Sequence, residues 1–251
     1  MELKIIAAAF LAGAAIGASA AEINVAVAAN FTAPAKELAA DYEKATGDKL
    51  VLSFGSTGNF YAQIKNGAPF DVLLAADDTT PAKAVKDGYG VEGTTFTYAI
   101  GKLVLWSSDA NLIKGDAKVL TTDAVKHIAV ANPKLAPYGL AAHETMDKLG
   151  IKAAITPKIV EGDNIGKTFQ FVSTGNAEAG FIALSQCYKD GKMTSGSGWI
   201  IPQEYYNPIA QDAVLLKKGE KNEAAKKFLE YLRTSEKAAQ VRAAYGYDTA
   251  K

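Results

Sequence analysis

The sequence predicts an α/β fold of two lobes, each a mainly parallel sheet flanked by helices, the two joined by crossing strands. Three observations predict it. Short, nearly unbroken apolar runs alternate with segments of helical period, once between Glu22 and Ala76 and again between His127 and Ala183, the pattern of parallel strands buried on both faces. The β-type run Thr94–Trp106 (TTFTYAIGKLVLW) is far longer than an ordinary strand of about five or six residues, as expected of a segment that leaves one lobe and enters another. A late β-type run, Ile209–Lys217 (IAQDAVLLK), stands apart from the first alternation and offers a way back. These runs set the expected boundaries: a first lobe of 21–97 plus 209–251, and a second of 98–208.

In order along the chain, Glu22–Ala29 (EINVAVAA) reads as a buried strand. The helix Ala33–Ala45 follows, with Leu38, Ala39 and Tyr42 on one face. Asn30 or Thr32 is placed to cap it, Pro34 suits its first turn and Gly47 ends it. A strand Lys49–Phe54, the turn Gly55-Ser56-Thr57-Gly58, a helix through Ile64 closed by Asn66-Gly67, and a strand Phe70–Ala76 complete the first alternation. The second runs from strand His127–Ala131 to helix Tyr138–Leu149, strand Lys158–Glu161, helix Ile165–Thr174 and strand Ala179–Ala183. A strand Trp199–Ile201 lies between loops at Gly196–Gly198 and Asn207-Pro208, and helices Asn222–Leu232 and Ser235–Tyr245 close the chain.

Composition narrows the function. Of 251 residues 49% are hydrophobic, enough for a sizeable core, and 27 basic side chains balance 27 acidic ones. A nucleic-acid binder would carry a basic surplus, so no nucleic-acid partner is expected. Lys4, the apolar run Ile5–Gly17 and the small residues Ala18-Ser19-Ala20 form a secretory leader, too short in its apolar part to span a bilayer. Cleavage is expected after Ala20 or Ala21, which makes residues 1–20 a signal peptide and the mature chain periplasmic. Cys187 is the lone cysteine; it has no disulfide partner and reads as a small buried apolar side chain.

Four strand-to-helix turns would open into a cleft between such lobes: Ala29–Thr32, Gly55–Gly58, Asn132–Gly139 and Gly162–Gly166. Each carries a hydroxyl or amide side chain. The first turn of a helix has backbone N–H groups without partners and a partial positive charge, so four converging starts can hold a small dianion with neutral donors. Each turn alone is also an ordinary helix cap. Enzymatic readings fare worse: no Gly-Lys-Ser/Thr follows Gly58, and there is no G-x-S-x-G turn. A Ser56, His143 and Asp77 set exists only on paper, and no Cys/His cluster has metal-ligand spacing. Asp77-Asp78 reads as a turn or cap before Pro81. No catalytic residue, metal ion or cofactor is expected.

With these turns in view the chain resembles the periplasmic molybdate-binding proteins of molybdate ABC transporters. The segments that carry the resemblance are VAVAANFT (25–32), SFGSTG (53–58), QIKNGAPFDVLLAA (63–76), ANPKLAPYG (131–139), GDNI (162–165), Gly180–Ala183 and Tyr245-Gly246-Tyr247. The resemblance implies a type II periplasmic-binding-protein fold and oxyanion contacts at Asn30, at Ser56 and/or Thr57, at Tyr138 and at Ile165. Asn30 would use its amide and backbone N–H, Ser56 and Thr57 their N–H and hydroxyl groups, and Ile165 only its backbone N–H. Many relatives have serine at Asn30, a tyrosine at Ala183 and a small residue at Tyr138, so the phenolic donor has moved to another wall. Molybdate, with tungstate beside it, is the implied ligand; a membrane ABC permease is the implied partner of a monomer. The alternatives are a binding protein for sulfate, phosphate or another tetrahedral oxyanion, or an exported enzyme on the same scaffold.

Overall fold

The computed structural model describes residues 20–249; the expected leader falls on the N-terminal residues outside that range. Twelve strands and eight α-helices are found among the described residues. The first alternation is β1 (Glu22–Ala28), α1 (Thr32–Thr46), β2 (Lys49–Gly55), α2 (Thr57–Lys65), β3 (Val72–Leu74) and α3 (Thr79–Lys86). Then β4 (Phe96–Gly101) runs into β5 (Leu103–Ser107) with Lys102 alone between them. The second alternation is β6 (Ile128–Ala131), α4 (Pro137–Lys148), α5 (Lys152–Ile155), β7 (Ile159–Gly162), α6 (Ile165–Ser173) and β8 (Ala179–Ala183). A hairpin of β9 (Tyr188–Lys189) and β10 (Lys192–Met193), then β11 (Ser197–Ile200), β12 (Ile209–Leu215), α7 (Glu223–Thr234) and α8 (Glu236–Ala244) complete the chain.

Two five-stranded sheets form, in the orders β2-β1-β3-β12-β4 and β11-β5-β8-β6-β7. In each, four strands run one way and a single strand is inverted: β12 in the first, antiparallel to β3 and β4, and β5 in the second, antiparallel to β8 and β11. The long run Thr94–Trp106 does divide between the lobes, changing sheets at Lys102. The chain returns through 201–208 into β12, which pairs beside β4 with Ile209 opposite Gly101. The two lobe-to-lobe connections therefore lie side by side.

Each sheet is covered on both faces, which is why its strands are apolar throughout. In the first lobe Ile23, Val25 and Val27 pack under Leu38, Phe228 and Leu232, while Ala26 and Leu73 on the other face meet Phe60 and Ile64 of α2. Helix α7 shows the cause plainly: Ala224, Ala225, Phe228, Leu229 and Leu232 are its buried residues, one stripe at helical spacing. Burial of each large side chain contributes about 1.5–3 kcal/mol.

Several local expectations are corrected. Neither Asn30 nor Thr32 caps α1. A 3-10 turn, Ala29–Phe31, leads into it without a side-chain cap, the Thr32 hydroxyl returns to Ala29 O at 2.8 Å, and the Asn30 amide is used elsewhere. Helix α3 is absent from the sequence reading, which places only a turn or cap at Asp77-Asp78; Pro81 falls in its first turn, where proline is tolerated. Asp77 serves that turn, accepting from Thr80 N at 2.7 Å and from the Thr80 hydroxyl at 3.1 Å. Burial raises the Asp77 carboxyl above its ordinary value. Helix α5 and the β9–β10 hairpin are too short to announce themselves by periodicity. Cys187 is buried as expected, and burial pushes its thiol up to about 12. No helix of the described residues is long and apolar enough to cross a membrane.

Candidate functional site: a sealed cavity at four helix starts

The register of the sheets brings the strand ends together. Ala28 of β1 lies opposite Gly55 of β2, and Ala131 of β6 opposite Gly162 of β7, so the chain leaves each pair at one edge. There it turns into α1, α2, α4 and α6. Gly139 lets α4 come close: a Cβ at that position would collide with the Ala131 carbonyl.

All five sequence-predicted residues, Asn30, Ser56, Thr57, Tyr138 and Ile165, line one small cavity of roughly 10 Å³. None is more than 4% exposed. Their contributions differ. Ser56 stands at the N-terminus of α2 without capping it, and its hydroxyl is buried with no protein partner. The Thr57 hydroxyl oxygen accepts from Ala76 N at 3.0 Å, which leaves its proton to donate. Ile165 opens α6 behind Asn164, whose side chain accepts from Lys167 N at 3.0 Å; the Ile165 N–H, directly after the cap residue, has no intrahelical acceptor. Tyr138 follows Pro137 in the first turn of α4. Its hydroxyl oxygen accepts from Gln211 Nε2 at 3.0 Å.

Beneath the cavity lies a polar network that sequence reasoning missed. Asn30 Nδ2 donates to Gln211 Oε1 at 2.8 Å and to the Tyr247 hydroxyl at 2.9 Å, while Asn30 Oδ1 is buried without a partner. The Tyr98 hydroxyl lies 2.9 Å from Ala75 O and 3.1 Å from Gln211 Oε1. Ser185 Oγ donates to Asn30 O at 2.8 Å. Gln211 reads in sequence as one polar residue in a strand, Ser185 as part of a turn, and Tyr98 as one aromatic in a β run. Tyr245-Gly246-Tyr247 alone had been singled out, and only by resemblance.

The lobes meet around this network. Gly58 N donates to Leu135 O at 3.0 Å, and a Cβ on Gly58 would come within 3.1 Å of Leu135 Cα. Lys189 Nζ pairs with Glu37 at 2.7 Å, and that bond is the chief cause holding the Glu37 carboxyl below its ordinary value. Both side chains are about a third exposed, so the pair contributes little, on the order of 0–1 kcal/mol.

No carboxylate, lysine, arginine or histidine lines the cavity. Its single titratable group is Tyr138, and burial raises that phenol well above its ordinary value, so it stays a protonated donor. His143 sits on α4, partly exposed, with its imidazole lowered by burial and by Lys152; neither it nor Asp77 reaches the cavity lining. Among the described residues no three His, Cys, Asp or Glu side chains gather as a metal site. The expected consequence is an anion affinity unchanged between about pH 6 and pH 9, since no wall group titrates there. Calorimetric titration across that range checks it; a loss centred near neutrality would point to a titrating group at the site.

Two α/β lobes closed over one small cavity at their strand ends are the architecture of a solute-binding protein. The chain belongs to the bacterial extracellular solute-binding protein family, whose sequence model matches residues 23–248. It is similar to the molybdate-binding protein ModA of Azotobacter vinelandii, 57% identical over 93% of this chain and 92% of that protein. ModA of Rhodobacter capsulatus is 50% identical over 96% of this chain and 94% of its own length. Among solved structures, a periplasmic molybdate-binding protein of Azotobacter vinelandii superimposes with a TM-score of 0.87 at 39% identity, covering 91% of this chain and all of that one.

Proposed function

We propose that this chain is an exported binding protein that captures molybdate, and also tungstate, between its lobes and hands the ion to a membrane ABC permease. The observation that carries the reading is one cavity with four helix starts around it and no formal charge in its wall. The likeness to two molybdate-binding proteins at 57% and 50% identity supports it. Asn30, Ser56, Thr57, Tyr138 and Ile165 are the proposed contacts. The lobe division read from the sequence, 21–97 plus 209–251 against 98–208, goes with it, its first crossing moved to Lys102 where β4 gives way to β5, and the leader at 1–20 sends the chain to the periplasm. It acts as a monomer, without catalysis and without a cofactor.

The physics favours a small bare dianion. At roughly 10 Å³ the cavity falls far below the ~300–1,000 Å³ typical of organic ligands. A buried dianion loses its hydration and must recover it from N–H and O–H donors, whose bonds to a charged acceptor are the stronger kind. Molybdate and tungstate carry no proton near neutral pH and accept at every oxygen. Monoprotonated phosphate brings an O–H that needs an acceptor, and leaving it buried and unpaired costs about 1–3 kcal/mol. Sulfate is also bare, so it is refused by size, through donors fixed for a larger ion. Because the contact residues are sealed, the ion enters and leaves only when the lobes part, and closure completes its donor shell.

Calorimetric titration of the purified protein with molybdate, tungstate, sulfate and phosphate tests the reading. Tight binding of the first two and weak binding of the others is expected. Preference for sulfate or phosphate would move the chain to another oxyanion, and heat from none of the four would remove the reading.

A further inference from the structure

One carboxamide ties together two side chains proposed to reach the anion from different walls, Asn30 at the start of α1 and Tyr138 at the start of α4. Gln211, wholly buried in β12, donates its Nε2 to the Tyr138 hydroxyl at 3.0 Å and accepts on Oε1 from Asn30 Nδ2 at 2.8 Å. A carboxamide has one donor end and one acceptor end, so it cannot present nitrogen to both neighbours. With Nε2 on Tyr138, the phenolic oxygen accepts, and its single proton is left for the cavity or for the Tyr247 hydroxyl beside it. Oε1 then requires the nitrogen of Asn30, and Asn30 Oδ1 is left over, as observed.

A half-turn of both carboxamides gives the complementary arrangement with every heavy atom in place. Gln211 Nε2 would donate to Asn30 Oδ1, Tyr138 would spend its proton on Gln211 Oε1, and Asn30 Nδ2 would become the free donor. The surroundings allow it: the Tyr247 hydroxyl, 2.9 Å from the Asn30 amide, can donate as well as accept, and Tyr98 can give its proton to Ala75 O at 2.9 Å. What the network forbids is both donors free at once. That would set two amide oxygens 2.8 Å apart with no proton between them, in a buried site where an unpaired polar contact is costly.

We infer that Gln211 makes side-chain donation to the anion by Asn30 and by Tyr138 mutually exclusive, so that the pair supplies one donor and never two. Gln211 is a positioning residue: it touches no ligand and acts through the proton it withholds from one neighbour or the other. The inference rests on the anion-binding reading above and deepens it. In the arrangement seen here Tyr138 is the donor, and Asn30 contributes through its backbone N–H.

The test is molybdate calorimetry on Tyr138→Phe, Asn30→Leu and the double variant, each also in a Gln211→Met background, with thermal melting to confirm folding. When Gln211 is present, either single variant keeps one donor, so each loses only a few-fold in affinity, while the double variant loses about ten- to a hundredfold, more than the product of the single losses. In the Gln211→Met background the bridge is gone and the two losses multiply. A merely structural role for Gln211 would not change additivity in this way. Losses that already multiply with Gln211 in place overturn the inference alone; absence of molybdate binding by the unaltered protein overturns the function and the inference together. If a variant does not fold, the side-chain NH₂ resonances of Asn30 and Gln211 in nitrogen-15-labelled protein decide. Both must shift together when molybdate is added or Tyr138→Phe is made, and movement of one without the other overturns the coupling.

Discussion

Gly101→Ala is expected to lower molybdate affinity at least about tenfold and to destabilise the fold by roughly 1–3 kcal/mol, the usual cost of overpacking. Gly101 ends β4 at the point where the chain passes from one sheet to the other. A Cβ there would overlap the Tyr138 hydroxyl and Gln211 Nε2 and would stand 2.9 Å from Tyr138 Cζ. The backbone of Gly101 has no positive φ, so the need for glycine is one of space. Because Tyr138 and Gln211 are buried on all sides, neither can yield without moving the helix start or the strand that carries it. Calorimetry and thermal melting measure both effects, the melting point falling about 2–4 °C for each kcal/mol in a chain of this size. Tyr138→Phe should relieve part of the stability loss, since it removes the nearest clashing atom, and a fully additive double variant would contradict the packing argument. Unchanged affinity in Gly101→Ala would show that Tyr138 and Gln211 can yield to the added methyl without disturbing the ligand contacts.

Ile165→Pro is expected to weaken molybdate binding about ten- to a hundredfold, the worth of one hydrogen bond to a charged group. The substitution removes the backbone N–H that Ile165 is proposed to offer. Proline is otherwise well placed at the first residue of a helix, and Asn164 before it is extended, φ −155° and ψ 168°, as a residue preceding proline must be. Ile165 is also part of the second lobe's core, so some stability is lost with its side chain. Ile165→Val separates the two, keeping the N–H while trimming the side chain, and should bind as the unaltered protein does. If proline binds as tightly as valine, Ile165 is not a ligand contact.

Much of the site was legible before the fold was known. The four turns could be found because a buried strand followed by a helix start is a local pattern, and the orphan N–H groups of such a start are a property of the helix itself. The individual residues Asn30, Ser56, Thr57, Tyr138 and Ile165 came by resemblance to a family, and the structure sets all five at the same cavity. The role given to Asn30 changed most. Read as a cap or an amide donor, it proves to have its nitrogen committed to Gln211 and Tyr247. Nothing in the segment IAQDAVLLK marks Gln211, because its partners Tyr138 and Asn30 lie 73 and 181 residues away along the chain. Helix α3 stayed hidden for a different reason: Asp77-Asp78 before Pro81 reads as a turn or cap, and a proline after a turn looks like one in a helix's first turn until the hydrogen bonds are seen.

The sequence by itself determined the two alternations of strand and helix, the glycine- and hydroxyl-bearing turns between them and the charge-free character of those turns, since these follow from short-range periodicity and side-chain chemistry. Only the tertiary structure decided that four turns meet in a single sealed cavity, that Gly101 must carry no side chain and that Gln211 links two walls of the site. Those facts depend on the register of two sheets and on where one lobe rests against the other, and packing between distant segments leaves no local periodic trace.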